Sequence, residues 1–304
     1  MQASDNEIRL FKQAWTAYAA ELAQSPPSLI QQRQAFDQQH GAVPVAEGCE
    51  VHPIRSDTVQ GELIIPAGAD RSKALVYHHG GGYTFGSALS HRHLVSRLAK
   101  AAGVVAYNMD YRLAPEHPYP LAIDDALAAY RYVRSQGFDA ADLVFAGESA
   151  GGNLTAALLL RLRSLGLEQP AGAYLLSPWL DMTQSAEAYE TRAAHDPMLS
   201  RAALDQCMQA YCAGHAADDP MISPVKADLA GLPALFLQVG SDEVLLSDAM
   251  TFAQRAAHAG IGVRLHVWPE MVHAWPLFHP ALPTAGLGAI AEAGDWIASR
   301  LGTR

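Results

Sequence analysis

Residues 143–154, LVFAGESAGGNL, decide the fold of this 304-residue chain. The first four residues are continuously apolar, which is typical of a strand buried on both faces of a parallel sheet. Gly147 and Gly151 then flank Ser149, and a helix is predicted at 151–165. A serine between two such glycines at a strand–helix junction predicts a tight turn that exposes its hydroxyl as a nucleophile. A glycine-rich turn that only packs a helix against a sheet is the alternative.

Strand and helix patterns alternate on both sides of this turn. Strands are predicted at 49–55, 58–65, 74–78, 104–108, 143–147, 172–177, 234–240 and 262–268. Helices are predicted between them at 89–102, 120–136, 151–165, 247–259 and 285–301. This repeated order predicts an α/β fold in which helices cover both faces of a mostly parallel, eight-stranded sheet.

Two parts of the chain stand outside this alternation. Helices are predicted at 4–24 and 28–39, before the first strand, and the helix-like residues 182–222 interrupt the order after the sixth strand. We expect these parts to fold over the sheet as a helical cap. The predicted organisation is an N-terminal cap part at 1–45, a core at 46–181 and 223–304, and a cap insertion at 182–222.

Composition and charge exclude several kinds of protein. The 21 basic and 31 acidic residues give a formal charge of −10, so no surface for nucleic acid or for an anionic membrane is expected. No apolar run reaches the ~20 residues that span a bilayer, and the N-terminus lacks a signal-peptide pattern, which predicts a cytoplasmic protein without membrane insertion. Cys49, Cys207 and Cys212 form no metal-binding pair and are expected to be core residues or idle thiols. No metal and no organic cofactor is expected.

A second glycine-rich segment, HGGGY at residues 79–83, directly follows the strand predicted at 74–78. We call it the glycine loop. Successive glycines let backbone N–H groups point into a cleft without a Cβ in the way, as stabilisation of an oxyanion requires. A phosphate-binding loop is the competing interpretation, but Phe85 stands where the dinucleotide-binding pattern needs a glycine, and no P-loop lysine is present.

Three motifs together resemble the bacterial hormone-sensitive lipase family of carboxylesterases. They are HGGG at 79–82, DYRLAPEH at 110–117 and GESAGGN at 147–153, in the family's order. The resemblance runs from about residue 30 to the C-terminus and implies the α/β-hydrolase fold. By motif position it also implies that the oxyanion is bound by the N–H groups of Gly81, Gly82 and Ala150.

The resemblance implies scaffold roles for other residues of these motifs. His79 is expected to hold the glycine loop through a side-chain hydrogen bond, and His78 has no expected role. Asp110, Arg112 and Glu116 match an internal charged network of the family.

Thirteen histidines compete for the role of general base. The base of such a site lies on a loop beyond the carboxyl end of a strand. His273 follows the last predicted strand on such a loop and resembles the family's catalytic position, so it is the predicted base. His266 lies within that strand and is expected to be structural, and His279 is a distant second candidate.

The acid is expected between the serine and the histidine in chain order, at the end of a strand. Residues 238–248 offer Asp242, Glu243 and Asp248. Asp248 is expected to cap the next helix or to stabilise its dipole. The family has Asp-Pro-Leu here, and alignment of its leucine on Leu245 places Glu243 at the catalytic position instead of the commoner aspartate. Asp242 is the alternative.

The resemblance and these residues imply a serine carboxylesterase that hydrolyses short- to medium-chain acyl esters through an acyl-enzyme on Ser149. A peptidase or amidase, an acyltransferase, and a ligand receptor without catalysis are the alternatives. Trp179, Tyr83 and Phe85 are expected either to line the substrate pocket or to belong to the core. The resemblance also allows a homodimer, since related esterases often pair through their last strand.

Overall fold

The computed structural model describes residues 5–303, so Ser4 of the first predicted helix and the outer ends of the predicted ranges 1–45 and 223–304 lie outside it. All eight predicted strands are present. They are β1 (Cys49–Arg55), β2 (Gln60–Pro66), β3 (Asp70–His78), β4 (Val104–Met109), β5 (Leu143–Glu148), β6 (Gly172–Leu176), β7 (Ala234–Gly240) and β8 (Val263–Trp268). β3 begins at Asp70 rather than at residue 74. The prediction missed this start because the first residues of the strand are polar and exposed and show no apolar pattern.

The strands form one sheet in the order β1-β2-β4-β3-β5-β6-β7-β8. β2 pairs antiparallel with both of its neighbours, and the other neighbouring strands are parallel. All residues of β4, β5 and β6 are buried. Because both faces of these strands pack against core, they appear in the sequence as largely apolar runs, in which Asn108 and Glu148 are buried polar residues. The predicted mostly parallel, eight-stranded sheet is confirmed.

Helices cover both faces of the sheet. Residues 5–303 contain α1 (Asp5–Gln24), α2 (Leu29–Gly41), α3 (Ala88–Ala102), α4 (Leu121–Ser135), α5 (Ala150–Ser164), α6 (Ala188–Thr191), α7 (Arg201–Cys212), α8 (Leu246–His258) and α9 (Pro283–Leu301). On one face, α4, α5 and α8 contribute side chains such as Leu158 and Phe252 to a common core. On the other face, α3 packs against α9, and Leu98 and Ile297 belong to a second core. The predicted α/β-hydrolase architecture is confirmed.

The segments outside the alternation are helical. α1 and α2 precede β1, and α6 and α7 lie between β6 and β7. α2 begins after Ser28, whose hydroxyl accepts the Gln31 N–H in a capping box. From α2, Arg33 donates hydrogen bonds of 2.7 and 2.8 Å to the carbonyl oxygens of Thr84 and Ala114. The N-terminal segment is thereby fastened beside the glycine loop.

Two findings bear on the expectations from composition. Cys49, Cys207 and Cys212 are free thiols. Within residues 5–303, no helix has both the length and the apolar character that crossing a bilayer requires.

Candidate active site

Ser149 stands between β5 and α5 in a backbone conformation that side chains rarely adopt, with φ 56° and ψ −121°. Its N–H donates to the Leu176 carbonyl oxygen at 3.0 Å. A Cβ on Gly147 would lie 2.3 Å from the Gly151 carbonyl oxygen, and a Cβ on Gly151 would lie 2.0 Å from that of His78. Both glycines are therefore required. The backbone of Ser149 in this conformation carries a strain of about 1–3 kcal/mol, which the surrounding packing maintains. Because Ser149 directly follows β5, it lies at the carboxyl edge of the sheet.

His273 and Glu243 are joined by a hydrogen bond of 3.0 Å between His273 Nδ1 and Glu243 Oε2. Glu243 follows β7 and His273 follows β8, so two adjacent parallel strands bring both residues to the same edge of the sheet. Both side chains are buried. Burial disfavours the charged form of His273, but the hydrogen bond and the charge of Glu243 outweigh it and raise the pKa of His273.

Ser177 connects the loops that carry these residues. Its hydroxyl donates to Glu243 Oε1 at 2.6 Å and accepts the N–H of Ala274 at 3.1 Å. It directly follows Leu176, whose carbonyl oxygen accepts the Ser149 N–H. Ser177 itself has φ 44°, an uncommon value for a residue with a side chain. One set of contacts thus links the serine turn with the loops of the glutamate and the histidine.

Asp242, the alternative acid, has a different partner. Its carboxylate accepts a hydrogen bond from Lys12 of α1. The adjacent Glu243 contacts His273 instead. The structure therefore brings together Glu243 and His273, and it places Asp242 in an ion pair at the partly exposed surface.

The glycine loop carries the predicted oxyanion donors. Gly81 and Gly82 have φ values of 106° and 58°. A Cβ on Gly82 would lie 2.6 Å from the sulfur of Cys207 in α7. Among residues 5–303, nothing accepts a hydrogen bond from the backbone N–H groups of Gly81, Gly82 or Ala150. Since Ala150 is the first residue of α5, the positive end of the helix dipole adds to its N–H.

The other histidines that the sequence singled out have protein partners. His79 Nδ1 contacts the Gly80 carbonyl oxygen at 2.7 Å, as expected of a residue that holds the loop. His266 contacts Glu292 at 2.7 Å, which is a structural contact as predicted. His279, the second candidate for the base, contacts another buried histidine. His78, which had no expected role, is hydrogen-bonded to a threonine of α5.

Asp110, Arg112 and Glu116 each make structural contacts, as expected of scaffold residues, but they do not join one another in a single network. Asp110 accepts the first N–H group of α3, Arg112 pairs with an aspartate of α4, and Glu116 pairs with the arginine of α2 that also binds beside the glycine loop. The segment that carries these residues contacts α3, α4 and α2, and each helix supplies a different partner.

Asp248 lies in the first turn of α8, as predicted, but it does not cap that helix. Its Oδ2 accepts the N–H groups of Leu180 and Asp181, both at 2.8 Å, and the hydroxyl of Tyr189 at 3.0 Å. Because the first turn of α8 is packed against the segment after β6, the carboxylate satisfies that segment's donors. Burial raises the pKa of Asp248 to about 8.

Trp179, Tyr83 and Phe85 were expected either to line the substrate pocket or to belong to the core, and two of the three belong to the core. Trp179 and Tyr83 are fully buried in it. The Tyr83 ring stacks on that of Tyr211 in α7, with 3.7 Å between the centroids. Phe85 is half-buried and packs against Phe36 of α2.

Three polar residues of this region were not predicted from the sequence, namely Ser177, Glu148 and His91. Glu148 was detectable, because it is a carboxylate inside the serine motif itself. Ser177 and His91 carry no local signal, since each has partners that are distant in the sequence.

Residues 75–277 match a protein-family model described as the alpha/beta hydrolase fold. The chain belongs to the α/β-hydrolase family. This α/β hydrolase is 43% identical over 241 residues to an acetyl-hydrolase of Streptomyces hygroscopicus, which covers 79% of this chain and 80% of the relative. It is 36% identical to an esterase of Acinetobacter venetianus, over 86% of each chain.

Solved structures are similar to this α/β hydrolase over almost its whole length. An esterase from the bacterial hormone-sensitive lipase family superposes with a TM-score of 0.92 at 36% identity, over 99% of this chain and 100% of that one. An esterase crystal soaked with p-nitrophenyl butyrate gives a TM-score of 0.92 at 36% identity, over 98% and 100%. The resemblance to the hormone-sensitive lipase family is confirmed.

Proposed function

We propose that this α/β hydrolase is a serine carboxylesterase in which Ser149 is the nucleophile, His273 the general base and Glu243 the acid. The observation that carries the proposal is the buried hydrogen bond between Glu243 and His273, which Ser177 connects to the turn of Ser149. The names of its relatives, acetyl-hydrolase and esterase, belong to the same class of reaction.

The contacts of His273 support a specific route for the proton in acylation. Because Glu243 accepts a hydrogen bond from the Nδ1–H of His273, Nε2 keeps the lone pair that takes the Ser149 hydroxyl proton. The serine oxygen then attacks the ester carbonyl carbon, and negative charge develops on the carbonyl oxygen. The N–H groups of the glycine loop and of Ala150 stabilise this oxyanion, and loss of one such donor typically costs ~10²–10³ in kcat.

The same groups complete acylation and then carry out deacylation. The imidazolium of His273 gives its proton to the departing alkoxide, the alcohol leaves, and the acyl group remains on Ser149. In deacylation His273 takes a proton from water while the water oxygen attacks the acyl carbon. The bond between that carbon and the Ser149 oxygen then breaks, the imidazolium returns its proton to Ser149, and the carboxylic acid is released. Glu243 stays ionised throughout and stabilises the imidazolium, in keeping with the raised pKa of His273.

We further propose that the helices before β1 and those between β6 and β7 form a cap that favours the short end of the short- to medium-chain range. α7 places Cys207 directly against Gly82. Ser149 and His273 are each only 7% exposed. A nucleophile and a base with so little exposure favour small acyl groups such as acetyl and butyryl, and the acetyl-hydrolase relative is consistent with this preference.

A fluorophosphonate probe tests the nucleophile. We expect the wild type to be labelled and Ser149→Ala to resist labelling and to lose ester hydrolysis. Ser299→Ala removes an exposed hydroxyl on α9 and should be labelled at the wild-type rate. Labelling and turnover by Ser149→Ala at wild-type rates would refute the proposal.

Rates on a series of p-nitrophenyl esters from acetate to decanoate test the substrate class. We expect kcat/KM to be highest for acetate or butyrate and to fall for the longer chains. A matched p-nitroanilide should be hydrolysed far more slowly, and faster hydrolysis of the anilide would indicate an amidase. Added alcohol should not compete strongly with water for the acyl-enzyme, as it would in an acyltransferase.

A further inference from the structure

The carboxylate of Glu148 contacts both halves of the candidate site. Glu148 is the last residue of β5 and directly precedes Ser149. Its side chain is 2% exposed. Oε1 accepts the N–H of Gly80 and lies 2.7 Å from His91 Nε2, while Oε2 accepts the hydroxyl of Tyr77. Glu148, which precedes the nucleophile Ser149, is therefore hydrogen-bonded to Gly80, which precedes the predicted oxyanion donor Gly81.

The first glycine of the glycine loop is explained by this contact. A Cβ on Gly80 would lie 2.4 Å from Glu148 Oε1 and 2.9 Å from the Glu148 carbonyl oxygen. Unlike Gly81 and Gly82, Gly80 does not have a left-handed φ. Backbone conformation therefore does not require a glycine at this position, whereas the approach of the carboxylate does.

His91 supplies the positive charge that a buried carboxylate needs. Its Nδ1 lies 3.1 Å from the Ser87 carbonyl oxygen and 3.0 Å from the Ser90 hydroxyl, and its Nε2 faces Glu148. Burial disfavours the charged ring, but the charge and hydrogen bond of Glu148 outweigh it and raise the pKa of His91, which favours the doubly protonated form. Burial alone would raise the pKa of Glu148, but the charge and hydrogen bond of His91 hold it below its usual value. An isolated charge at this depth would be strongly destabilising, and the pair offsets that cost.

We propose that Glu148, paired with His91, is a positioning residue that fixes the N–H groups of Gly81 and Gly82 relative to the Ser149 hydroxyl. The proposal rests on the esterase function proposed above. The carboxylate acts through the loop and does not touch the substrate. Because the oxyanion forms only in the transition state, a misplaced loop lowers kcat and leaves substrate binding largely intact.

The variant Glu148→Gln keeps the shape of the side chain and removes its charge. We expect kcat to fall about tenfold or more, with KM changed by less than about threefold. Phenylboronic acid forms a tetrahedral adduct with an active serine, so its inhibition constant should rise by a similar factor. Gly80→Ala, which displaces the carboxylate without removing a charge, should have the same pattern of effects.

A control separates positioning from ordinary stability. Tyr174→Phe removes an equally buried hydrogen bond on β6, between Tyr174 and Gln238, that does not touch the glycine loop. We expect it to lower Tm while kcat stays within about twofold of the wild type. Thermal unfolding of each variant shows what fraction is folded, and kcat is expressed per folded molecule.

The outcomes distinguish this inference from the proposed function. If Ser149→Ala is inactive while Glu148→Gln keeps wild-type kcat and boronic acid affinity at a lowered Tm, the carboxylate is only structural and the inference fails. A rise in KM with unchanged kcat also overturns it. If Ser149→Ala keeps its activity, the proposed function itself fails.

Discussion

Replacement of Glu243 by glutamine is a sharp test, because the structure decides which way the new amide must face. Glu243 Oε1 accepts hydrogen bonds from the Ser177 hydroxyl and the Gly240 N–H, each at 2.6 Å. The amide oxygen must keep that place, since an NH2 group there would face a backbone donor. The NH2 group therefore faces Nδ1 of His273.

This orientation sets the size of the expected effect. An NH2 donor beside Nδ1 forces the ring proton of His273 onto Nε2, and this tautomer cannot accept the proton of Ser149. In serine proteases the corresponding change of aspartate to asparagine leaves the geometry intact and lowers kcat by ~10⁴, about 5 kcal/mol of activation free energy. We expect a loss of ~10³–10⁴ in kcat for Glu243→Gln, with KM within about threefold of the wild type.

Initial rates with p-nitrophenyl acetate measure the effect, and Asp242→Asn is the matched control. It makes the same chemical change one residue away and removes only the ion pair with Lys12, which is worth about 0–1 kcal/mol at a partly exposed site. Its kcat should stay within about twofold of the wild type. Collapse of kcat in Asp242→Asn together with an active Glu243→Gln would refute both the assignment of the acid and the tautomer argument.

Gly82→Ala should lower kcat by ~10²–10³, because its Cβ would meet the Cys207 sulfur at 2.6 Å and displace an oxyanion donor. Wild-type kcat in this variant would contradict the packing argument. In the profile of kcat/KM against pH, the midpoint of the acid limb should lie above 6.5, because the raised pKa of His273 keeps the base protonated up to a higher pH. A midpoint below 6.5 would contradict the raised pKa. The free energy of unfolding should fall as the pH rises from 3.8 to the Asp248 pKa of about 8. In this range Asp248 is protonated in the folded state and ionised in the unfolded chain, so unfolding releases a proton and becomes easier at higher pH. Asp248→Asn should remove this slope of about 1 kcal/mol per pH unit, measured by denaturant unfolding, and an unchanged slope would count against the assignment.

Sequence patterns located the fold well where burial is continuous. β4, β5 and β6 are buried on both faces, and their apolar runs have the predicted positions. The exposed start of β3 was missed for the opposite reason, because a polar strand end resembles a turn.

Local sterics explain which parts of the candidate site could be read in advance. The turn of Ser149 and the loop of Gly81 and Gly82 depend on backbone conformations and close approaches that only glycine permits at the flanking or donor positions. The need for glycine arises at positions only a few residues apart, so a short sequence motif indicates it. His273 was likewise marked by its place after the last strand.

The sequence by itself therefore determined the α/β-hydrolase fold, the tight turn and the glycine loop, since each follows from neighbouring residues. Only the tertiary structure decided which carboxylate contacts His273, which donors Asp248 satisfies and that His91 neutralises Glu148. The physical reason is that the charge and orientation of a buried polar side chain depend on partners from other strands and helices. Folding brings those partners within hydrogen-bond distance, and spacing along the chain alone left more than one partner open.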